Sequence, residues 1–400
     1  MSAETGSAEY FGFSRTLYLL GASNLVMAAG RAAAWLFLPI LLYREYHLSF
    51  VFVGILISLV IPVSLLASLV GGAASDRYGR RAFVAYPPIL NALVAFLLYL
   101  LWNHGLVLVM GLWAGNVFLG NVGGGAQNAL MTDVSQENRR MSVFSLLRIF
   151  GNVGFAIAPA LGGLLASDFG LSVVFLISGF ALLSGGTLLT LLLPETHVPG
   201  TGKPRPLRED AYRPFRDRTF LALGALGIGL TLAAGQFGTA LTLFSVGVRH
   251  FSYEQVGWLY SLNGVIVVTL QMPIAWGVRR HQLLWMSVGT LCYGSAFLVF
   301  DAGTAYVAFL TGMTVLTVGE NVVSPLQNTL VSELATEETR GSYFGAYGAL
   351  TSAALVFAPP LGTLLLGTGS SLALWGTFAG LCGAVAVGYV VLARRVPRLP

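Results

Sequence analysis

Residues 71–81 read GGAASDRYGRR, a glycine pair followed by one acid and three arginines within six positions. This charged stretch interrupts long apolar runs, so its meaning depends on the solvent those runs require. The 400-residue chain is 56% hydrophobic and only 10% charged, with a mean hydropathy of +0.76. No water-facing surface tolerates that composition. Residues Gly341 to Ala393 hold no charged side chain over 53 positions, enough for two helical crossings at about 20 residues each. The sequence therefore describes an all-α polytopic membrane protein.

Apolar runs read against their polar breaks give twelve spans, near 16–42, 50–74, 83–102, 106–130, 142–166, 171–193, 219–247, 255–278, 282–300, 304–331, 342–366 and 371–393. They are too long and too uniformly apolar for barrel strands, whose segments are short and alternating. The first 15 residues are polar, and no small-residue cleavage site follows a short apolar stretch, so the first span is expected to be retained. Basic residues are held on the cytoplasmic side of membranes. With the N-terminus inside, 18 of the 22 Lys and Arg residues fall on inner segments, Arg44 and Arg249 on outer loops, and Arg31 and Arg148 within spans. Both termini are then cytoplasmic, and the expected location is the cell (inner) membrane. The net charge of +5 reflects this topology, and cationic patches interleaved with stacking aromatics, which would mark a nucleic-acid partner, are absent.

The chain repeats itself. QNALMTDVSQENRRMSVF at 127 is answered by QNTLVSELATEETRGSYF at 327, and APALGGLL at 158 by APPLGTLL at 358; 13 of the 40 positions from 127 to 166 are identical to those 200 residues later. HLSFVFVGILISL at 47 pairs likewise with HFSYEQVGWLYSL at 250. Two six-helix halves, 1–193 and 219–400, flank a Pro-, Gly- and charge-rich cytoplasmic linker at 194–218. Parallel six-helix repeats are an arrangement known from secondary transporters.

The opening stretch falls on the inner loop between the second and third spans. Gly72 permits close helix approach, Gly79 a tight turn, and Arg80 and Arg81 enforce topology. Its order of glycine, acid, arginine, glycine and two basic residues resembles the loop motif of the major facilitator superfamily, and the likeness extends over essentially the whole chain. The group it most resembles is the twelve-helix drug/proton antiporters of multidrug efflux. The resemblance implies two pseudo-symmetric six-helix bundles and a cytoplasmic gate built from Gly72, Asp76, Arg77, Gly79, Arg80 and Arg81. By the same resemblance, Asp76 would pair with the start of the eleventh span and Arg340, while Asp133 would engage an arginine of the loop. The matching loop of the second half has Arg279 and Arg280 but no acid.

GFAIAPALGG at 154–163 is similar to the fifth-span signature of proton-coupled antiporters, with Ala158 where that pattern usually has glycine. Its physical content is a kink at Pro159 beside small residues Gly154, Gly162 and Gly163 that allow close packing. The fourth span departs from drug-exporting relatives, because Asn116 begins the face on which many of them carry an arginine.

Charge inside the membrane is costly enough to mark function. Arg31 lies mid-span on a face with Asn24 and Trp35; Arg148 lies two turns inside the fifth span, with Asn152 one turn further. Glu320 is the only acid well inside any span, at the repeat position of Gly120 and on a stripe with Gln327. A static buried ion pair between Glu320 and an arginine is the competing explanation of these charges. The resemblance implies that the first, fourth, seventh and tenth spans line a central cavity, which would bring Arg31 and Glu320 to it. Expected coupling residues are Glu320, Arg148 and Arg31. Expected cavity residues are Asn24, Arg31, Trp35, Asn116, Gln236, Phe237, Tyr260 and Glu320.

Other chemistries find no residues to carry them. The five histidines show no ligand spacing, and Cys292 and Cys382 fall in separate spans as core residues, so no metal is expected. No nucleophile with base and orienting partner emerges, so no enzyme is expected. The expectation is a monomeric secondary transporter without cofactor, driven by the proton gradient, with the lipid bilayer and a small molecule as partners. An amphipathic drug or metabolite is the leading substrate, and an organic anion the alternative. A non-transporting membrane sensor or scaffold on the same fold is the reading from another class.

Overall fold

The computed structural model describes residues 15–134, 140–193, 213–278, 280–336 and 339–396. These are helical throughout, with no strand among the described residues, and twelve helical segments are long and apolar enough to cross a membrane. Their ends lie within a few residues of those expected from the apolar runs: the last runs Ser371–Arg395 and the fifth Leu146–Phe169. The chain forms two compact units, one of Met1–Leu41 and Val60–Gly202, the other of Leu42–Leu59 and Lys203–Pro400.

The first unit draws on α1 (Arg15–Arg44), α2 (Phe50–Tyr78), α3 (Arg80–Leu101), α4 (Leu106–Val122), α5 (Gly124–Val134), α6 (Arg140–Phe169) and α7 (Val173–Leu192). Its core joins Leu17, Leu20 and Met27 of α1 to Val84, Ala85 and Ala92 of α3 and to Leu182 and Leu189 of α7. Without a hydrophobic force between helices in lipid, small residues set how closely backbones meet. A Cβ at Gly154 of α6 would run into the Leu25 carbonyl of α1, and one at Gly186 of α7 would stand 2.9 Å from Ile89 Cγ1 of α3. Pro159 lies inside α6, next to buried Ala158 and Ala160.

The second unit contains α8 (Arg218–Ala234), α9 (Ala240–Gly247), α10 (Tyr253–Gly277), α11 (Gln282–Ala302), α12 (Tyr306–Leu334), α13 (Arg340–Gly367) and α14 (Ser371–Arg395). Trp375 of α14 anchors it, stacked on Phe297 at 5.5 Å and edge-on to Phe244 at 5.4 Å. Asp217 caps α8 by accepting from the Thr219 and Phe220 amides at 2.8 and 3.2 Å, and also accepts from the Tyr343 hydroxyl at 3.2 Å. Within this unit the corner between α1 and α2 is held by Arg44, whose Nη2 donates to the Val246 carbonyl at 3.0 Å.

The duplication extends to backbone detail. His47 and His250, matched in the repeat, both adopt left-handed φ of 52° and 56°; Gly170 and Gly369, after the fifth and eleventh spans, have φ of 85° and 78°. The helices α6 and α13 begin at Arg140 and Arg340 and carry Pro159 and Pro359 at the same register.

Two spans are broken where uninterrupted helices were expected. The fourth divides at Gly123 into α4 and α5, where a Cβ would strike the Phe83 carbonyl. The glycine run 123–125 weakens the helix at that point. The seventh divides at a 3₁₀ turn, Gly235–Phe237, between two helices of the second unit.

Candidate substrate cavity and coupling residues

Each unit carries its own polar cluster inside the span region. In the first, a cavity of about 470 Å³ is lined from α1 by Asn24, Arg31 and Trp35, from α4 by Trp113 and Asn116, and from α6 by Asn152 and Phe155. Spacings of seven and four residues put Asn24, Arg31 and Trp35 on one stripe of α1. Asn24 Nδ2 donates to the Leu147 carbonyl at 3.1 Å, which orients its Oδ1 toward Arg31 Nη2, 3.5 Å away. Trp35 and Phe155 face each other with ring centroids 6.3 Å apart. Asn116 is 7% exposed and its Nδ2 has no hydrogen-bond partner, so it presents a donor to whatever occupies the cavity.

Four of the sequence-expected cavity residues, Asn24, Arg31, Trp35 and Asn116, thus line one space. Trp113 and Phe155 were not anticipated, although each stands three residues from a polar lining residue on its own helix, Asn116 and Asn152. Arg148 occupies an exposed position one turn before Asn152 and is not among the lining residues.

The second cluster centres on Glu320 of α12. Asn263 of α10, 4% exposed, donates from Nδ2 to Glu320 Oε2 and to Thr317 Oγ1, both at 2.9 Å. Thr317 in turn donates to the Met313 carbonyl at 2.7 Å. Glu320 is half-buried. The Asn263 amide thus fixes one carboxylate oxygen of Glu320 in place. Asn263 was missed at the sequence level, because a single amide in an apolar helix has no periodic partner to reveal it.

Three other expected cavity residues sit differently. Gln236 has no exposed surface; its Nε2 donates to the Leu232 and Ala358 carbonyls at 2.7 and 2.9 Å, bracing the break in the seventh span against α13. Tyr260 is likewise fully buried, bonded to Thr242 Oγ1 at 2.7 Å and to the Phe237 carbonyl. Phe237 meets the Tyr260 ring edge-on at 4.7 Å. The physical reason is the helix break itself, around which Gln236 and Tyr260 satisfy the Leu232 and Phe237 carbonyls.

In the loop motif, Gly79 has φ of 99°, a conformation strained for any L side chain, and caps α3. Gly72 lies at a close approach of α2 and α5, since a Cβ on Gly125 would stand 3.3 Å from its Cα. Arg81 donates to the Thr190 carbonyl of α7 at 2.7 Å, and Arg77 lies 5.4 Å from the Tyr78 ring centroid. Arg80 is half-buried. The side chains of Asp76, Asp133 and Arg340 lie outside the described residues. No group of three or more potential metal ligands occurs among the described residues.

Comparison with known proteins agrees with this architecture. The family model for the Major Facilitator Superfamily matches residues 20–354. A Na(+), Li(+), K(+)/H(+) antiporter of Planococcus maritimus is 26% identical, covering 88% of this chain and 91% of its own. Multidrug resistance protein MdtH of Klebsiella pneumoniae (strain 342) is 25% identical over 82% of this chain and 81% of its own. Other relatives at similar identity are uncharacterized transporters. A crystal structure of the peptide transporter POT in complex with sulfate superposes with a TM-score of 0.78, at 17% identity, over 98% of this chain and 97% of that one. With twelve membrane-crossing helices, a duplicated six-span plan and a family match over most of its length, this chain belongs to the major facilitator superfamily.

Proposed function

We propose that this protein is a proton-coupled secondary transporter of the inner membrane that exports a small amphipathic drug or metabolite by alternating access. The observation that carries the reading is the first-unit cavity, which sets the Trp35, Trp113 and Phe155 rings beside Arg31, Asn24 and Asn116. Apolar walls with a few convergent polar groups suit a ligand that is aromatic on one side and polar on the other. Relatives described as a multidrug resistance protein and a cation/proton antiporter support export and proton exchange. In this reading both termini are cytoplasmic, as the distribution of arginines favours.

Glu320 carries the coupling proton in this scheme. A proton arriving from outside neutralises the carboxylate that Asn263 holds, substrate leaves, and the proton departs inward once the protein has reoriented. Arg31 and Arg148 are the cations available to favour the deprotonated form in one conformation over the other. A second reading, transport of an organic anion, is favoured by Arg31 itself. Among the described residues its one hydrogen-bond partner is neutral Asn24.

Proteoliposomes under an imposed pH gradient test the scheme. Native protein is expected to accumulate a dye-like or drug-like substrate against its gradient while dissipating the pH difference. Glu320→Gln, which mimics the protonated acid, is expected to abolish uphill flux and retain substrate binding. If it folds and still drives uphill transport with proton movement, Glu320 is not the coupling site.

A further inference from the structure

Arg31 also lines a second chamber of about 310 Å³, bounded within the first unit by α1, α3, α4, α5 and α7. Its other polar lining residues are Asn91, Asn121 and Gln127, and no acid is among the lining residues. Asn91 is 1% exposed, and neither its Nδ2 nor its Oδ1 has a hydrogen-bond partner. Its amide is turned toward α4 in the chamber wall, since a Cβ built on Gly120, another lining residue, would lie 3.5 Å from Asn91 Nδ2. A buried amide left in this state bears its full desolvation penalty, so native proteins rarely keep one without a ligand or water to satisfy it.

Two further features share the chamber. Arg31 brings a guanidinium whose one hydrogen-bond partner among the described residues is a neutral amide at 3.5 Å. A cation inside a span is costly unless a counter-charge, backbone carbonyls or water satisfy it. The eleven-residue helix α5 begins at Gly124, which with Gly123 lines the chamber. The first amides of a helix find no acceptor within it, and the last turn of α4, which ends at the same point, brings its carbonyls to the chamber as well. A cation, a helix N-terminus and an orphaned amide donor converge where no side-chain acid stands.

We propose that this chamber binds a compact monovalent anion, held by the Arg31 guanidinium and the Asn91 amide beside the N-terminal turn of α5. At about 30 Å³ per water, the volume corresponds to roughly ten waters, so the ion retains part of its hydration. With Arg31, Asn91, Asn121 and Gln127 in its wall, the chamber suits a halide or a small carboxylate.

Purified full-length protein in detergent provides the test, with chloride or formate titrated against gluconate at constant ionic strength and melting temperature as the readout. A saturable rise is expected for the native protein. Response to chloride assigns a free inorganic ion; response to formate alone assigns a carboxylate group such as a substrate would offer. Asn91→Leu and Asn91→Ser are each expected to shift the midpoint by about tenfold or to remove the response. Saturable uptake of radiolabelled chloride or formate by the native protein in equilibrium dialysis is a second readout that needs no variant. No saturable response to either anion in both assays overturns the proposal. So does a response identical in the Asn91 variants, which would mean a chamber holding water and an ion bound elsewhere.

Discussion

Asn263 spends one amide nitrogen on two acceptors, Glu320 Oε2 and Thr317 Oγ1, and is itself almost wholly buried. Removing such a donor leaves the carboxylate to find another partner, at a cost of about 1–3 kcal/mol. Asn263→Leu is therefore expected to lower the melting temperature modestly and to impair proton-driven flux more than substrate binding. Equal loss of binding and flux would mean that Asn263 shapes the fold and does not position Glu320. At this scale the sequence exposed charge well and neutral polar groups poorly. Arg31 and Glu320 stand out because ionised groups are rare in spans, and the stripe of Asn24, Arg31 and Trp35 follows from helical spacing. Gln236 and Tyr260 look like cavity residues for the same reason, yet they satisfy backbone carbonyls near a helix break that periodicity cannot reveal.

Among elements, one close joint in the first unit is between α1 and α6. The Leu25 carbonyl and the Ala29 amide nitrogen, the latter 3.0 Å away, stand where a Gly154 side chain would be. Because both neighbours are backbone, neither can swing aside. Gly154→Ala is expected to cost about 1–3 kcal/mol through forced separation of the helices, read as reduced melting temperature and expression. Gly72→Ala is the control, since no atom lies within 4 Å of a Cβ there; comparable loss in both variants would remove close packing as the reason for glycine at 154. Span number and span ends were legible because twenty consecutive apolar residues have few other uses. The breaks at Gly123 and at Gly235–Phe237 were not, since glycine is frequent throughout transmembrane helices and only the Phe83 carbonyl and the freed carbonyls around Gln236 distinguish these sites.

For the whole molecule, the duplication read from QNALMTDV and QNTLVSEL reappears in paired backbone conformations as fine as those of His47 and His250. The division into two units follows the duplication except at Leu42–Leu59, which belongs to the second unit through contacts such as that of Arg44 with Val246. No sequence pattern marks that exchange, because it depends on tertiary contacts of residues 200 positions apart. The loop motif is where a change in the whole protein can be tested through one residue. Asp76 lies in the last turn of α2, three residues before Gly79, and in the gate that the family resemblance implies it would contribute one charge-assisted contact to the closed cytoplasmic side. Such a contact is worth about 1.5–3 kcal/mol, enough to reverse a balanced two-state equilibrium. Asp76→Asn keeps the size and a hydrogen-bonding group while removing the charge, so it is expected to fold normally, favour the inward-open state and transport slowly. Spin labels placed on the inner ends of α2 and α13 would report that shift as longer distances. Unchanged distances together with full transport would show that Asp76 has no part in gating and that the motif serves topology alone, through Arg77, Arg80 and Arg81.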